Sequence, residues 1–240
     1  MVAAELRDVT VHIDTGRWSE TVLDAVSLAV PEGRITALIG ESGCGKSMAA
    51  AALTGLLPAT AQRSGQVLVD GTVAHGRPEL RAIGYAPQDG VTAFKPGEAV
   101  GAQLRDLEEI HRHWSVERAC AAAGYPAEVF DLLPRQHSGG QIQRAALAAA
   151  LLPSPRILVA DEPTASLDAE NAYRVWKTLR EYADEGAAVL VITQDVPMLA
   201  ATGVADRMAV MRAGRILVED SAAAVAALDN PYVQGFFREG

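Results

Sequence analysis

The residues that could do chemistry begin with a glycine-rich octapeptide, residues 40–47, which reads Gly-Glu-Ser-Gly-Cys-Gly-Lys-Ser. It fits the pattern G-x-x-x-x-G-K-[ST] at every fixed position, and this pattern is typical of loops that bind nucleoside triphosphates. Three glycines would let backbone N–H groups turn towards the phosphates where a side chain would obstruct them. Lys46 would place a cation on the β- and γ-phosphates, and the Ser47 hydroxyl is suited to Mg²⁺.

The flanks of the octapeptide have the character that such a loop needs. Residues 34–39 form a short apolar run expected of a buried strand, and the Ala- and Leu-rich residues 47–57 predict a helix ended by Pro58. The helix N-terminus adds attraction for an anion. An ordinary glycine turn is the alternative, and the flanks favour a nucleotide site. The residues predicted to bind it here are Gly40, Glu41, Ser42, Gly43, Cys44, Gly45, Lys46, Ser47 and Met48.

Cys44 lies inside this loop, where one interpretation is simply that a small residue fits. The other is that the helix N-terminus lowers the pKa of its thiol, so that ATP would block its alkylation. Trp18 also has two open interpretations. It is either a core or lid residue, or a flat surface on which adenine stacks.

Two further stretches could act on phosphates. The apolar residues 156–160 predict a buried strand that ends in Asp161 and Glu162. The first carboxylate could hold Mg²⁺ through water and the second could polarise an attacking water, although paired acids are also common in turns. Residues 136–144, Gln-His-Ser-Gly-Gly-Gln-Ile-Gln-Arg, precede an alanine-rich helix. They predict a second anion site, or only a capped helix start.

Composition bounds the class of protein. The chain has 240 residues, enough for one large or two small domains, and its 49% apolar content excludes a mainly disordered chain. The net charge of −9 argues against a nucleic-acid partner. Two cysteines give no disulfide framework or metal spacing. No apolar run reaches the roughly 18 residues of a membrane span, and no export signal is visible at the start.

The order of elements predicts an α/β chain with a mainly parallel sheet. We expect strands at residues 6–13, 21–30, 64–70, 81–86 and 187–193, an amphipathic helix at 169–185, a hairpin of 206–211 with 215–219, and a short capped helix at 221–228. Residues 98–133 carry charges at helical spacing and predict a helical insertion. His111 and His113 lie there, and we expect a solvated helix face rather than metal ligands.

With these pieces in order, the chain resembles the ATP-binding subunit of an ABC transporter over residues 6 to about 237. Residues 40–47 match the family's Walker A motif, and Gln88 matches its Q-loop. Residues 157–162 match Walker B with its catalytic glutamate, and residues 166–168, which end at Asp168, match the D-loop. The signature motif L-S-G-G-Q is matched by Ser138, Gly139, Gly140 and Gln141.

The resemblance implies a fold and a set of roles. The fold would be a P-loop NTPase (ABC ATPase) core, residues 1–90 and 145–240, with an N-terminal antiparallel β part. About residues 91–144 would form a helical subdomain, all within one ATP-binding domain over residues 1–240. Trp18 would stack on adenine, Gln88 would contact Mg²⁺ or the attacking water, and Asp161 would hold the metal. The signature would touch the γ-phosphate held by the other subunit of a head-to-tail dimer.

Finer details resemble the oligopeptide, dipeptide and nickel importers, namely residues 93–96, 160–164 and 230–232. This branch implies two integral membrane permease subunits, a second ATPase subunit in a homo- or heterodimer, and a solute-binding protein as an indirect partner. It implies a peripheral position on the cytoplasmic face of the cell membrane. A soluble ABC ATPase outside transport is the alternative, but the coiled-coil insertion or second cassette of many such proteins is missing.

Two residues depart from the family pattern. His137 stands where an apolar residue, usually Leu, precedes Ser-Gly-Gly-Gln, and we expect it to be tolerated because the anion-facing groups follow it. Gln194 stands where the family has its switch histidine. A neutral amide can donate one hydrogen bond to the γ-phosphate but cannot become cationic. We therefore expect slow hydrolysis, or a weakly catalytic regulatory subunit.

Overall fold

The computed structural model describes residues 1–75 and 82–238. Its strands are β1 Val2–Asp14, β2 Ser19–Pro31, β3 Ile35–Gly40, β4 Ala61–Val69, β5 Thr72–Val73, β6 Ile83–Ala86, β7 Ile157–Asp161, β8 Ala188–Ile192, β9 Arg207–Arg212 and β10 Arg215–Ser221. Its α-helices are α1 Lys46–Thr54, α2 Val100–His111, α3 Val116–Ala123, α4 Gly139–Leu151, α5 Ala169–Asp184, α6 Val196–Thr202, α7 Ala222–Ala226 and α8 Pro231–Arg238. Short 3₁₀ segments cover Gly90–Ala93, Ala127–Val129 and Pro134–Gln136.

The strands form two sheets. One has four strands in the order β2-β1-β4-β5 and is antiparallel. The other has six in the order β10-β9-β3-β8-β7-β6. In the larger sheet β9, β3, β8, β7 and β6 run parallel, and β10 pairs antiparallel with β9. The predicted α/β class, with a mainly parallel sheet and an antiparallel β part from the N-terminal strands, is confirmed.

The central strands are covered on both faces. Every residue of β3, β7 and β8 is buried, as expected of parallel strands between two layers. Because side chains alternate along a strand, Ile35 and Ala37 join the core shared with α2 to α5. Leu38 joins the opposite core, formed with α1 and the antiparallel sheet. Residues 40–47, the predicted phosphate-binding loop, are called the phosphate loop below. The end of β3, where this loop begins, is therefore fixed between two packed layers.

Most predicted elements are confirmed, with shifts at their ends. The hairpin turns at Ala213 and Gly214, both with positive φ, and Ser221 caps α7 by accepting from the Ala224 N–H at 3.2 Å. The helix predicted at 47–57 ends earlier than expected, at Thr54. Gly55 takes the left-handed conformation there and ends the helix before Pro58 is reached. The strand predicted at 81–86 is observed from Ile83, and Arg81 lies outside the described residues.

The predicted helical insertion contains α2 and α3, which lie between β6 and β7 in the chain. His111 is the last residue of α2, whereas His113 lies in the turn after it and is exposed. The expectation of a shared helix face for these two histidines was therefore wrong, because Arg112 takes a left-handed conformation and ends the helix. No metal-binding cluster of His, Cys, Asp or Glu occurs within the described residues.

None of the helices in residues 1–75 and 82–238 combines the length and apolar character that crossing a bilayer requires.

Candidate nucleotide-binding site

The phosphate loop joins the buried end of β3 to the first residue of α1 and depends on glycine at particular points. A Cβ on Gly40 would lie 2.3 Å from the Met211 carbonyl oxygen, and one on Gly45 would lie 2.9 Å from the Val22 carbonyl oxygen. Gly43 has open space around it but needs its positive φ of 78°. Strands β2 and β9 therefore pack against one side of the loop, and the opposite side has room for a ligand.

The side chain of Lys46 folds back onto the start of this loop. Its Nζ donates to the Gly40 carbonyl at 2.8 Å and to the Glu41 carbonyl at 2.9 Å. The side chain is buried, and no carboxylate forms an ion pair with it among the described residues. Because both of these hydrogen bonds go to neutral carbonyl groups, Lys46 can form an ion pair with an incoming anion.

A buried carboxylate faces the same space. Both oxygens of Asp161, at the end of β7, are buried, and neither has a hydrogen-bond partner of ordinary geometry in the described part of the chain. Burial raises the pKa of this carboxyl above its usual value and the Glu162 carboxylate adds to the rise, whereas Ser47, Lys46 and Tyr85 oppose it. An unpartnered carboxylate beside a hydroxyl is a donor set that suits Mg²⁺.

Glu162 follows with a backbone conformation that is rare for its type, since its φ is 48°. Its N–H donates to the Ile192 carbonyl at 2.8 Å, which joins the end of β7 to the end of β8. At that end the side-chain amide of Gln194 donates to Glu162 Oε1 at 3.0 Å. Such a strained turn between two strand ends directs both polar side chains to one edge of the sheet.

These groups line one cavity of about 250 Å³. Its lining residues are Val22, Ser42, Gly43, Gly45, Lys46, Ser47, Met48, Gln88, Asp161, Glu162, Ile192 and Gln194. One cation, two carboxylates and two amides predicted from separate parts of the sequence thus meet at the carboxyl ends of parallel strands, where ligands of open α/β sheets bind.

Trp18 is not among the residues that line the cavity. Its side chain is 47% exposed, in the turn that Thr15 closes by donating its N–H to the Trp18 carbonyl at 2.9 Å. The exposure excludes a core position and leaves an open aromatic face.

The second predicted anion site forms a separate pocket of about 460 Å³. Its lining residues are Ser138, Gly139, Gly140, Gln141, Arg144, Ser166, Leu167, Asp168 and Asn171. Ser138 caps α4, because its Oγ accepts from the Gln141 N–H at 3.3 Å while its own N–H donates to Gln141 Oε1 at 2.9 Å. This pocket shares no lining residue with the phosphate-loop cavity. The two predicted anion sites are therefore separate pockets of one chain.

Comparison with known proteins decides the family. The model of the family described as "ABC transporter" matches residues 23–165, which hold the phosphate loop, Gln88, the Ser-Gly-Gly-Gln segment and the acidic pair. The chain belongs to the ABC transporter family. Among described relatives, the oligopeptide transport ATP-binding protein OppD of Escherichia coli K12 is 31% identical to this ABC family member over 88% of its chain and 67% of OppD.

Other relatives differ in length and in the cargo that their names give. OppD of Mycobacterium tuberculosis H37Rv is 35% identical over 89% of this chain, which spans only 37% of that relative. The cobalt import ATP-binding protein CbiO of Rhodobacter capsulatus is 36% identical over 90% of this chain and 79% of CbiO. Among solved structures, the dimeric ATP-binding cassette MJ0796 bound to ADP and Pi superposes with a TM-score of 0.78 at 25% identity, covering 91% of this chain and 98% of that one.

Of the two interpretations of Cys44 in this ABC family member, the structure favours the small residue that fits the loop over the reactive thiol. The thiol is buried and points behind the loop, where Sγ would lie 2.8 Å from a Cβ on Gly40. Burial raises the pKa of Cys44 and outweighs the opposing Lys46 charge and backbone N–H groups, which the position near the helix N-terminus does supply. Cys44 is thus a packing residue of the loop.

Sequence reasoning missed Tyr85. Its hydroxyl lies close enough to Asp161 that burial and this carboxylate raise the pKa of Tyr85 to about 12. The available signal was topological, because Tyr85 lies in β6, the parallel neighbour of β7. Parallel neighbours end at the same edge of a sheet, so a polar residue near the end of β6 belongs beside Asp161.

Proposed function

We propose that this chain is the ATP-binding and ATP-hydrolysing subunit of an ABC importer. The observation that carries the proposal is the buried Asp161 carboxylate beside Ser47, whose oxygens form no hydrogen bond of ordinary geometry within the described residues, in the cavity that Lys46 and Glu162 share. Asp161 and Ser47, with Gln88, would hold Mg²⁺, and Mg²⁺ when bound neutralises charge on the β- and γ-phosphates. The loop from Gly40 to Met48 would hold the phosphates of ATP, and Trp18 would stack on its adenine.

Hydrolysis would depend on Glu162. Its carboxylate accepts a proton from a water whose oxygen attacks the γ-phosphorus, and the bond from that phosphorus to the ADP oxygen breaks. Lys46 neutralises charge on the leaving phosphates. Gln88 and Gln194 line the same cavity and position the water and the γ-phosphate through hydrogen bonds.

The signature residues, Ser138 to Gln141, would act on ATP bound to a second ATPase subunit, with Asp168 beside them. The two pockets of one chain have separate linings, so the phosphate-loop cavity lacks any signature residue of its own. A head-to-tail dimer completes each site, and it joins this chain to a second copy or to a homologous ATPase subunit. ATP then stabilises the dimer, and hydrolysis releases it.

The rest of the transporter follows from the importer names of the relatives. Two integral membrane permease subunits would carry the cargo, which we propose is a peptide, nickel or a metal chelate delivered by a solute-binding protein. The chain would lie on the cytoplasmic face of the cell membrane. An apolar groove of about 410 Å³, lined in part by Pro87, Leu107 and Pro153, lies beside Gln88. A permease segment seated there would sense the nucleotide through Gln88.

We also propose one ATP-binding domain over residues 1–240, with the core in 1–90 and 145–240 and the helical part in about 91–144. Helix α4 crosses the boundary at residues 144 and 145 without a break. The two parts are therefore distinguished by how they pack and are not separated by a linker at this point.

Gln194 favours a second candidate, a weakly catalytic regulatory subunit within a heterodimer. Its amide donates to Glu162 Oε1 and has one further N–H for the γ-phosphate. It cannot supply the charge-assisted contact of a protonated histidine. The loss corresponds to about 1–2 kcal/mol, or about tenfold in rate.

The substitution Asp161→Asn tests the leading proposal. We expect the steady-state rate of Mg²⁺-dependent ATP hydrolysis to fall at least about 100-fold, since the metal loses its buried anion. The melting temperature of the nucleotide-free protein should hold or rise, because a buried charge whose oxygens form no hydrogen bond of ordinary geometry within the described residues is removed. Asp229→Asn, an exposed matched control, should change neither quantity. An unchanged hydrolysis rate in Asp161→Asn would remove the proposal.

A further inference from the structure

His137, directly before the signature, has both ring nitrogens in hydrogen-bond contact. Nδ1 lies 3.0 Å from the Leu133 carbonyl oxygen, and Nε2 lies 2.8 Å from the Tyr125 hydroxyl. A carbonyl oxygen can only accept, so Nδ1 carries the hydrogen in this arrangement. A neutral imidazole with hydrogen on Nδ1 accepts at Nε2, and the Tyr125 hydroxyl is therefore the donor. The ring joins the turn at Leu133 to Tyr125, the second residue after α3.

Tyr125 is itself held firmly. Its ring is 4% exposed and stacks on Phe130, with ring centroids 5.4 Å apart and planes 12° apart. Phe130 in turn packs on α2 at Gly101, where a Cβ would lie 2.7 Å from the Phe130 side chain. The Tyr125 hydroxyl therefore has a fixed position relative to α2. The hydroxyl also lies 3.4 Å from the Val129 carbonyl oxygen, at the limit of a hydrogen bond.

The residue after His137 is the signature serine. The capping box with Gln141 fixes Ser138 relative to α4. Helix α4 packs with α2 and α3 in one buried core, and through it the box also places Ser138 relative to them. The His137 ring provides a second attachment, from the residue directly before Ser138 to Tyr125.

We propose that His137 and Tyr125 are positioning residues that hold Ser138 where it meets the γ-phosphate of ATP on the second subunit. The inference rests on the proposed head-to-tail dimer. Hydrogen bonds to an anion weaken steeply beyond about 3.2 Å, so a small displacement of Ser138 weakens the ATP-bound dimer. The apolar residue that usually precedes Ser-Gly-Gly-Gln has no hydrogen bond to offer the Tyr125 hydroxyl. Because this chain has His137 at that position, a hydrogen bond of fixed direction stands where the family usually has an apolar contact.

The experiment uses ATP-driven dimerisation of a chain that carries Glu162→Gln, which retains ATP. Light scattering gives the MgATP concentration for half-maximal dimer. Adding His137→Leu should raise this concentration at least about fivefold, because the buried Tyr125 hydroxyl loses its partner. Adding Tyr125→Phe to His137→Leu should recover part of the loss, since the unpartnered hydroxyl is then gone. MgATP affinity of the dilute monomer should stay within about twofold in every variant.

Tyr182→Phe is the matched control. It also removes a buried phenol hydroxyl, which donates to the Pro155 carbonyl at 2.6 Å, away from the signature. It should leave the dimerisation midpoint unchanged. An equal shift in Tyr182→Phe, no shift in His137→Leu, or no recovery in the double variant would overturn the inference. If Glu162→Gln alone gives no ATP-dependent dimer, the proposed dimer fails first and the inference falls with it.

Discussion

Gln194 and Glu162 form the contact on which the rate of hydrolysis should depend most. Glu162 directly follows β7 and has a left-handed backbone conformation, and Gln194 comes shortly after β8. The amide donates to Glu162 Oε1 at 3.0 Å, and the Gln194 N–H approaches Oε2 at 3.4 Å. Gln194 thus orients the carboxylate through its side-chain amide and its backbone N–H. As a neutral group it adds no positive charge near the γ-phosphate.

The substitution Gln194→His should raise the steady-state rate of ATP hydrolysis about tenfold. A histidine can become cationic and form a charge-assisted hydrogen bond, which contributes about 1–2 kcal/mol more than a neutral one. The measurement is phosphate release with any partner ATPase subunit present. The double variant Gln194→His with Glu162→Gln should show no gain, since the base is then absent. A rate for Gln194→His equal to that of the parent would contradict the slow-site argument.

At the scale of elements, the phosphate loop depends on the strands behind it. Gly40 ends β3 and has no room for a Cβ, because the Met211 carbonyl of β9 would lie 2.3 Å from it. One side of the loop is thus packed against β9. The other side faces the cavity, where a ligand can contact its backbone N–H groups.

The substitution Gly40→Ala should destabilise the protein by about 2–4 kcal/mol and abolish ATP binding. The clash is with backbone, which has little freedom to move. Urea unfolding measures the loss. Gly235→Ala is the matched control, because Gly235 is an exposed residue of α8 with nothing within 4 Å of its added Cβ. There the change should be neutral or stabilising by up to about 1 kcal/mol. Equal stability of Gly40→Ala and the parent would contradict this account of the loop.

Local sequence was sufficient for the elements around the site. The run before Gly40 predicted a buried strand, and the octapeptide predicted the loop, because in both cases the information lies in adjacent residues. Contacts between residues far apart in the chain could not be predicted from the sequence. The burial of Cys44 depends on how the loop folds over the sheet, and the role of Tyr85 depends on which strands are neighbours. The bond from His137 to Tyr125 joins side chains that no motif connects.

At the scale of the whole molecule, the phosphate-loop cavity and the signature pocket are separate surfaces of one chain. The first has the cation and carboxylates. The second has a capped helix start and Asp168, which itself caps α5 by accepting from the Asn171 N–H at 2.9 Å. Two chains arranged head to tail would bring complementary halves together twice, once at each end of a closed symmetric pair.

Ser138→Asp tests this arrangement in the Glu162→Gln chain. Aspartate keeps the N-cap acceptor of α4, so the fold should be retained, but its charge would repel the γ-phosphate of the partner's ATP. We expect loss of the ATP-dependent dimer with unchanged MgATP affinity of the monomer. Ser138→Asn caps equally well without charge and should still dimerise. A dimer of Ser138→Asp at the parental ATP concentration would contradict a signature that faces phosphate.

Every role proposed for these residues requires that ATP binds at the phosphate loop. The most direct measurement is the equilibrium affinity for MgATP of the parent and of Lys46→Ala, by calorimetric titration. Lys177→Ala is the control, since Lys177 is a surface lysine 64% exposed and paired with Glu181. The account predicts at least tenfold weaker binding for Lys46→Ala, about 1.4 kcal/mol or more, and unchanged binding for Lys177→Ala. Parental affinity in Lys46→Ala would contradict it.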